Sequence, residues 1–297
     1  MSGLTLLAAL KAFDATVRAG SMSAAARSLG LRQPTLSAHI ARLERQHGVE
    51  LFFRRGRRLE LTPFGQTLSE CTRRAFRAEE DALALLTAAG IQSHGQLRIC
   101  AVGPYNVTPV IKAFRAQRPR VSVAVTIGDS RQVVESILDF RGDIGLLVHA
   151  AEDPLLHCQP FRRQPLVVFA SRLHPLAGAG TLRLADLQGQ EFVFREQGST
   201  TRRVFEQALA RAGVAIRVHV EMGSREAVRE AVAEGLGLGV VAEMAYVPDP
   251  RLVKLLLAPP GLQTHAHFIC RQERRGVPLI REFLGTALAM AMADRGA

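Results

Sequence analysis

The sequence predicts an α/β protein in three parts: a basic winged helix-turn-helix head, one long helix, and a larger body of alternating strands and helices. Three observations carry this. Residues 1–62 hold three short stretches of 3.6-residue apolar period separated by glycines, and residues 63–90 hold one unbroken seven-residue repeat. From Gln96 onward, short β-rich runs alternate with helical ones. A chain of 297 residues has length for about two cored domains. With 47% hydrophobic and 22% charged residues it reads as globular, which excludes a disordered chain, a collagen-like fibre and a disulfide scaffold. No run nears the ~18 apolar residues of a membrane span. Lys11 and Asp14 interrupt the first apolar stretch, so it is not a secretory signal, and a cytoplasmic protein without a membrane partner is expected.

In the head, Leu6, Leu10, Phe13 and Val17 share one helical face, which Gly20 ends. Ser21 or Ser23 can cap a short helix through Ala24–Leu29, with Gly30 at the turn beyond it. A third helix opens at Pro34, turns Leu36, Ile40 and Leu43 inward, and stops at Gly48. Its other face carries Arg32, Gln33, Pro34, Thr35, Ser37, Ala38, His39 and Arg42. Amide, hydroxyl and guanidinium groups are the chemistries that read base edges in a major groove, whereas a merely solvated face more often alternates Glu with Lys. Leu59 and Leu61 alternate after a turn at Gly56, which predicts a two-stranded wing with Arg54, Arg55, Arg57 and Arg58 at its tip against phosphates. Residues 1–62 carry a net charge of +6 out of the chain's +11, as a polyanion partner requires.

Phe13, the run Gly20-Ser21-Met22-Ser23-Ala24-Ala25-Ala26, Leu29, Gln33-Pro34, Ser37, Ile40, Leu43-Glu44, Gly48-Val49, Leu51-Phe52, Arg54 and Leu61-Thr62-Pro63-Phe64-Gly65 closely resemble the winged helix-turn-helix of LysR-type transcriptional regulators. The resemblance is contiguous over the head. Arg32 stands where the family more often has a capping Ser, and Thr35 replaces a common Ala, so the resemblance carries over DNA binding and not the operator bases read.

Thr62 can cap a long helix with Pro63 at its first position. Phe64, Leu68, Cys71, Ala75, Ala78, Ala82, Leu85 and Ala89 follow at alternating spacings of four and three, a heptad seam that Gly90 ends. A lone amphipathic helix packed on its own domain is the competing reading. A paired helix joins two heads for a two-fold operator. The resemblance implies the same homodimer, usually doubled to a tetramer, on double-stranded DNA with an interrupted inverted repeat, with RNA polymerase a candidate further partner.

In the body, strands are predicted at Leu97–Val102, Val121–Ile127, Ile144–His149, Leu166–Ala170, Phe192–Phe194, Ile216–Met222, Leu238–Val241 and His267–Cys270. Helices fit Val107–Gln117, Arg131–Phe140, Thr201–Ala212, Arg225–Glu234 and Leu279–Met292, so mostly parallel sheets covered on both sides are expected. The resemblance supplies a two-lobed effector domain similar to periplasmic binding proteins over 91–297. Lobe 1 takes 91–163 and 265–297, lobe 2 takes 164–264, and hinges fall near Arg163 and Thr264.

Three strand-to-helix junctions share one chemistry: Asp129, Ser130 and Arg131; Ser199, Thr200, Thr201 and Arg202; Ser224 and Arg225. Each sets hydroxyls, free backbone N–H groups and an arginine at a helix start, where anions bind. Ser and Thr are also ordinary helix caps, so one junction alone says little. Tyr105 and Asn106 form a fourth wall, where the family places ligand contacts, and His149 ends a strand near the same cleft. Asp129, Glu196 and Glu226 stand at the same places and fit a zwitterion's ammonium. The segments around Gly128, Gly198 and Gly223 look like a LysR subgroup associated with 2-aminoethylphosphonate catabolism. A small carboxylate or sulfur oxyanion is the alternative effector.

Cys71, Cys100, Cys158 and Cys270 lie far apart without a CxxC pair and read as buried reduced thiols. His265 and His267 lack a third ligand, so no metal and no cofactor are implied. The chain has no P-loop, HExxH, GxSxG or strand-borne GxGxxG, and Gly235, Gly237 and Gly239 read as a tight helix-to-strand turn. An enzyme is therefore disfavoured. A stand-alone solute receptor would not need the head, and a constitutive architectural protein would not need the body.

Overall fold

In a computed structural model of the chain, residues 3–53, 59–88 and 95–296 are described. The chain forms two compact units, Met1–Ile91 and Gln92–Ala297.

The first unit contains α1 (Gly3–Ala19), α2 (Met22–Ser28), α3 (Gln33–His47), the short strands β1 (Phe52–Phe53) and β2 (Glu60–Leu61), and α4 (Pro63–Ala88). Ser21 caps α2, accepting from the Ala24 N–H at 3.2 Å, and Gly30 and Gly48 take the left-handed conformations that end α2 and α3. Phe13, Ala25, Leu36, Ile40, Leu43 and Leu51 form the core, with the Phe13 and Phe52 rings 5.5 Å apart. β1 and β2 pair antiparallel as the wing's base. Arg54, Arg55, Arg57 and Arg58, expected at its tip, lie outside the described residues, as does Ala89 of the heptad seam.

Thr62 caps α4 through its Oγ1, 2.9 Å from the Gly65 N–H. Two faces of α4 then serve different ends. Ser69, Thr72 and Phe76 are buried against the head, and Lys11 and Arg18 of α1 reach Glu79 and Glu80 at 2.6 and 3.0 Å. The seam is a different stripe: Phe64, Cys71, Ala75, Ala78, Ala82 and Leu85 are exposed, and Leu68 is half-buried. Packing on its own domain and an open seam therefore coexist on one helix.

The second unit repeats one strand–helix unit twice. Lobe 1 runs β3 (Gly95–Ala101), α5 (Pro104–Gln117), β4 (Val121–Ile127), α6 (Ser130–Leu138) and β5 (Ile144–Leu147). The chain crosses on β6 (Leu156–Ser171) and, after β7 (Thr181–Arg183), lobe 2 runs β8 (Glu191–Arg195), α7 (Thr200–Arg211), β9 (Arg217–Met222), α8 (Arg225–Ala233) and β10 (Gly239–Ala242). It returns through β11 (Leu252–Ala258) and β12 (Gln263–Arg271) to α9 (Pro278–Gly296). β3 lies parallel between β4 and β5, and β8 lies parallel to β9 with an isolated parallel bridge from Phe192 to Leu238, just before β10. The expectation of mostly parallel sheets is corrected here. β12 runs antiparallel to β5 and β6, and β10 and β11 run antiparallel to β6, because the crossing strands must carry the chain both ways between lobes.

Alternation on the central strands feeds two cores per lobe. Phe192 and Phe194 turn to Phe205 and Leu209 of α7, while Val193 turns to Val228 and Val232 of α8. In lobe 1, Leu97 and Ile99 meet Phe114 and Phe283, and Cys100 meets Val133 and Ile137. The first half of β6 was missed, because Pro160, Arg162, Arg163, Gln164 and Pro165 break the apolar run; β7 and β11 were missed as well. The glycine turn after α8 is present: Gly235 and Gly237 have positive φ, and a Cβ on Gly237 would lie 2.7 Å from the Glu191 carbonyl oxygen.

Candidate functional site

On α3 the polar stripe stands clear of the core. Arg32, Gln33, Pro34, Thr35, Ala38 and Arg42 are exposed, and Ser37 and His39 are half-buried beside the inward Leu36 and Ile40. Arg32 occupies the N-cap position without a side-chain cap bond, and no carboxylate among the described residues pairs with Arg32 or Arg42. Ser23 Oγ donates to Gln33 Oε1 at 2.8 Å, and Glu44 Oε1 accepts the Leu51 N–H at 2.9 Å. These two bonds fix the stripe against α2 and the wing.

In the body, the repeated lobes face each other across a gap, and the contacts across it follow the repeat. On one flank the start of α7 meets the start of α6 and the segment after β5: Thr200 Oγ1 lies 3.2 Å from His149 Nδ1 and 3.4 Å from Ser130 Oγ. Burial lowers the His149 pKa, assisted by Arg203 and His267 and opposed by Glu152, so the imidazole is a neutral hydrogen-bonding group near pH 7. On the other flank the start of α8 meets the start of α5: Arg225 Nη1 donates to the Val102 carbonyl at 2.8 Å. A Cβ on Gly103 would lie 2.6 Å from that nitrogen, so glycine is what admits the guanidinium. Tyr105, Phe169, Arg229 and Tyr246 line a recess beside it. No carboxylate among the described residues pairs with Arg225; desolvation, then Arg195, lowers its pKa against opposing effects from Tyr105, Glu226 and Glu196.

The other predicted residues divide. Asp129, Ser199 and Ser224 are caps, accepting the N–H groups of Gln132, Arg202 and Ala227 at 2.8, 3.5 and 3.1 Å. Thr201 is half-buried in the first turn of α7. Asn106 is buried in the first turn of α5, and its Oδ1 has no hydrogen-bond partner among the described residues. Two arginines are corrected. Arg202 is held by Glu206 at 2.9 Å, Glu221 at 2.5 Å and the Arg195 carbonyl at 2.7 Å, with Phe194 beneath it, so its charge is satisfied within lobe 2. Arg131 is 87% exposed and lies along its own helix on Glu135, away from an enclosed site.

Gln164 carries no signal in the sequence, where Thr264 stands out only as a hinge position. They pair in register where β6 and β12 pass between lobes, and both are buried with Nε2 and Oγ1 unpartnered among the described residues. Sequence reasoning also missed Arg229, Phe169 and Tyr246. A signal for Arg229 existed: it stands four residues after Arg225, where a carboxylate follows Arg202. Of the cysteines, Cys100 and Cys270 are buried, but Cys71 is exposed on the seam and Cys158 half-buried, which corrects the uniform expectation of buried thiols. Among the described residues, no group of three His, Cys, Asp or Glu is placed to hold a metal ion, and no helix is long and apolar enough to cross a membrane.

Comparison with known proteins agrees with this architecture. Residues 7–66 match the bacterial regulatory helix-turn-helix of the lysR family, and residues 91–291 match the LysR substrate binding domain. The HTH-type transcriptional regulator CysL of Bacillus subtilis is 30% identical over 243 residues, 81% of each chain. The transcriptional activator CmpR of Synechocystis is 30% identical over 232 residues, 77% of this chain and 76% of that one. Full-length CbnR complexed with its target DNA superposes with a TM-score of 0.71 at 22% identity, covering 96% of this chain and 99% of that one. The regulatory domain of CcmR from Synechocystis, in complex with 2-PG, has a TM-score of 0.60 at 26% identity, covering 67% of this chain and 98% of that one.

Proposed function

The chain belongs to the LysR family of transcriptional regulators, and on that premise we propose that the gap between its lobes takes a small anionic or zwitterionic effector. The observation that carries this reading is Thr200, whose hydroxyl meets Ser130 and His149 of the opposite lobe. A ligand entering there exchanges those contacts for its own, so occupancy biases the lobe arrangement. Gln164, Thr264 and Asn106 support it, because a buried polar atom left unpaired costs about 1–3 kcal/mol and a polar ligand at the crossover would recover that. CcmR, the relative noted above, binds 2-PG in its regulatory domain. Our first candidate is 2-aminoethylphosphonate, with Asp129 facing its ammonium, since both oxygens of Glu196 already accept from Arg195 at 2.6 Å; a small carboxylate or sulfur oxyanion is the second.

In this reading the α3 stripe enters a major groove, Gln33 and Arg42 reading bases, while two chains pair through the open seam of α4. The dimer spans an interrupted inverted repeat, and two dimers form a tetramer. Gln33→Ala relaxes preference at one operator position; equal losses on operator and random DNA would remove that role.

A thermal-shift panel with 2-aminoethylphosphonate, phosphate, sulfate and small carboxylates tests the effector. A ligand at a hundred times its Kd stabilises by about 2.7 kcal/mol, so a dose-dependent rise is expected with the aminophosphonate and a weaker one in Thr200→Val. A rise with another anion alone that Thr200→Val weakens reassigns the effector, and no rise with any of them overturns the effector reading.

A further inference from the structure

We propose that the recess on the second flank of the gap, lined by Tyr105, Arg225, Arg229, Phe169 and Tyr246, is a separate subsite for the oxyanion head group of a small molecule. Its charge is the first reason. Two guanidinium groups line it against one carboxylate, Glu226, which is engaged by its own backbone N–H and by Ser224. Arg229 Nε is buried without a hydrogen-bond partner among the described residues, a donor awaiting an acceptor. Arg225 is already held in place by the Val102 carbonyl and the bare face of Gly103, so it needs no rearrangement to receive an anion.

Size and lining set the ligand class. The recess measures about 350 Å³ with its open mouth, and its enclosed part is far smaller. That admits one carboxylate, phosphate or phosphonate group and leaves the rest of the molecule at the mouth. Phe169 and Tyr246, with ring centroids 6.1 Å apart, and Val241 give that end an apolar wall. Tyr246, whose phenol burial raises above its ordinary range, and Tyr105 from the opposite lobe bring two hydroxyl-bearing side chains to the lining. An oxyanion here joins lobe 1 to lobe 2, as Thr200 does on the first flank. The gap therefore carries two chemically distinct locks, one of hydroxyls and imidazole and one of arginines and phenols. The regulatory consequence rests on the effector reading above; binding of the oxyanion does not.

The chain has two tyrosines and no tryptophan, and both tyrosines line this recess, so intrinsic tyrosine emission reports on it. The full chain is titrated with inorganic phosphate and with acetate at constant ionic strength, against sodium chloride. We expect a saturable emission change with at least one oxyanion, none with chloride, and at least a tenfold weaker midpoint in Arg229→Ala and in Arg225→Gln, since each removes a charge-assisted hydrogen bond. Thr200→Val should keep the midpoint within about twofold, because it lies on the other flank. A non-saturable change, one reproduced by chloride, or one that survives both arginine variants overturns the subsite. Equal loss in Thr200→Val and the arginine variants overturns its separateness. Melting curves of each variant identify unfolding as a cause. A thermal-shift response to 2-aminoethylphosphonate that is weakened in Thr200→Val and kept in Arg229→Ala assigns that ligand to the first flank, so failure of the subsite and failure of the effector reading are told apart.

Discussion

Arg202 and Arg225 both lie in the first turn of the helices that open lobe 2 toward the gap, as the third residue of α7 and the first of α8, yet they have opposite surroundings. Four residues after Arg202 stands Glu206, and β9 adds Glu221, so that guanidinium is neutralised within its lobe. Four residues after Arg225 stands Arg229, a second cation where a carboxylate would have paired, and Arg225 reaches instead for a carbonyl of the opposite lobe. Like charges at this spacing cost a helix a few tenths of a kcal/mol. The first arginine holds its own lobe together, and the second leaves positive charge facing the gap. An arginine at a helix start is thus no guide to an anion site until its own carboxylates are accounted for.

The largest expected effect calibrates that contrast. Arg274 and Asp143 form a buried pair at 2.9 Å in lobe 1, with side chains 6% and 3% exposed. Removing Arg274 leaves a buried carboxylate that keeps the Arg98 N–H at 2.7 Å but loses this guanidinium, so Arg274→Ala should cost about 3–5 kcal/mol in denaturant unfolding. Arg225→Ala removes a cation with no ionic partner and should cost about 1 kcal/mol, the value of its carbonyl bond. If the two variants lose equal stability, the contrast between paired and unpaired arginines is broken. Arg202→Ala should cost about 1 kcal/mol or less, because Glu206 and Glu221 are half-exposed and screened by water. It should leave oxyanion binding unchanged, where Arg225→Gln does not. Gly103→Ala sharpens the point: the added methyl displaces the Arg225 head group without touching its charge, and a several-fold weaker phosphate midpoint with near-normal unfolding is expected.

The smallest effect concerns the hydroxyl flank. His149 titrates below its ordinary value of about 6.5 in the folded chain. Between those two values the unfolded chain binds more protons, so its contribution is full above about pH 6.5 and is lost as pH falls through the folded value. His149→Gln should therefore flatten the acid-side fall in melting temperature between about pH 7 and 5. A fall of unchanged steepness would assign it to His157 and His174, which burial also lowers.

How far the sequence reached depended on the distance over which each feature is determined. The head is set by local rules: Ser21 caps, Gly30 and Gly48 turn, and Leu36, Ile40 and Leu43 mark the inward face, so its elements lie within one or two residues of their expected bounds. The start residues of α6 and α7 were legible for the same reason, and Ser130, His149 and Thr200 do converge. What was illegible is long-range pairing. Glu221 reaches Arg202 from another strand, the polar first half of β6 gains its ladder only from β12, and Tyr246 lines one recess with Tyr105 of the opposite lobe. None of these leaves a mark within a window of local sequence.

The central claim, that two chemically different flanks of one gap each receive an oxyanion, is tested most directly by diffraction from crystals of the full chain soaked in selenate. Selenium's anomalous scattering distinguishes the anion from water and from the light atoms of the protein. The account predicts one peak among Ser130, His149 and Thr200 and a second among Tyr105, Arg225 and Arg229. Peaks confined to outward arginines such as Arg131, with the gap empty on both flanks, would contradict it.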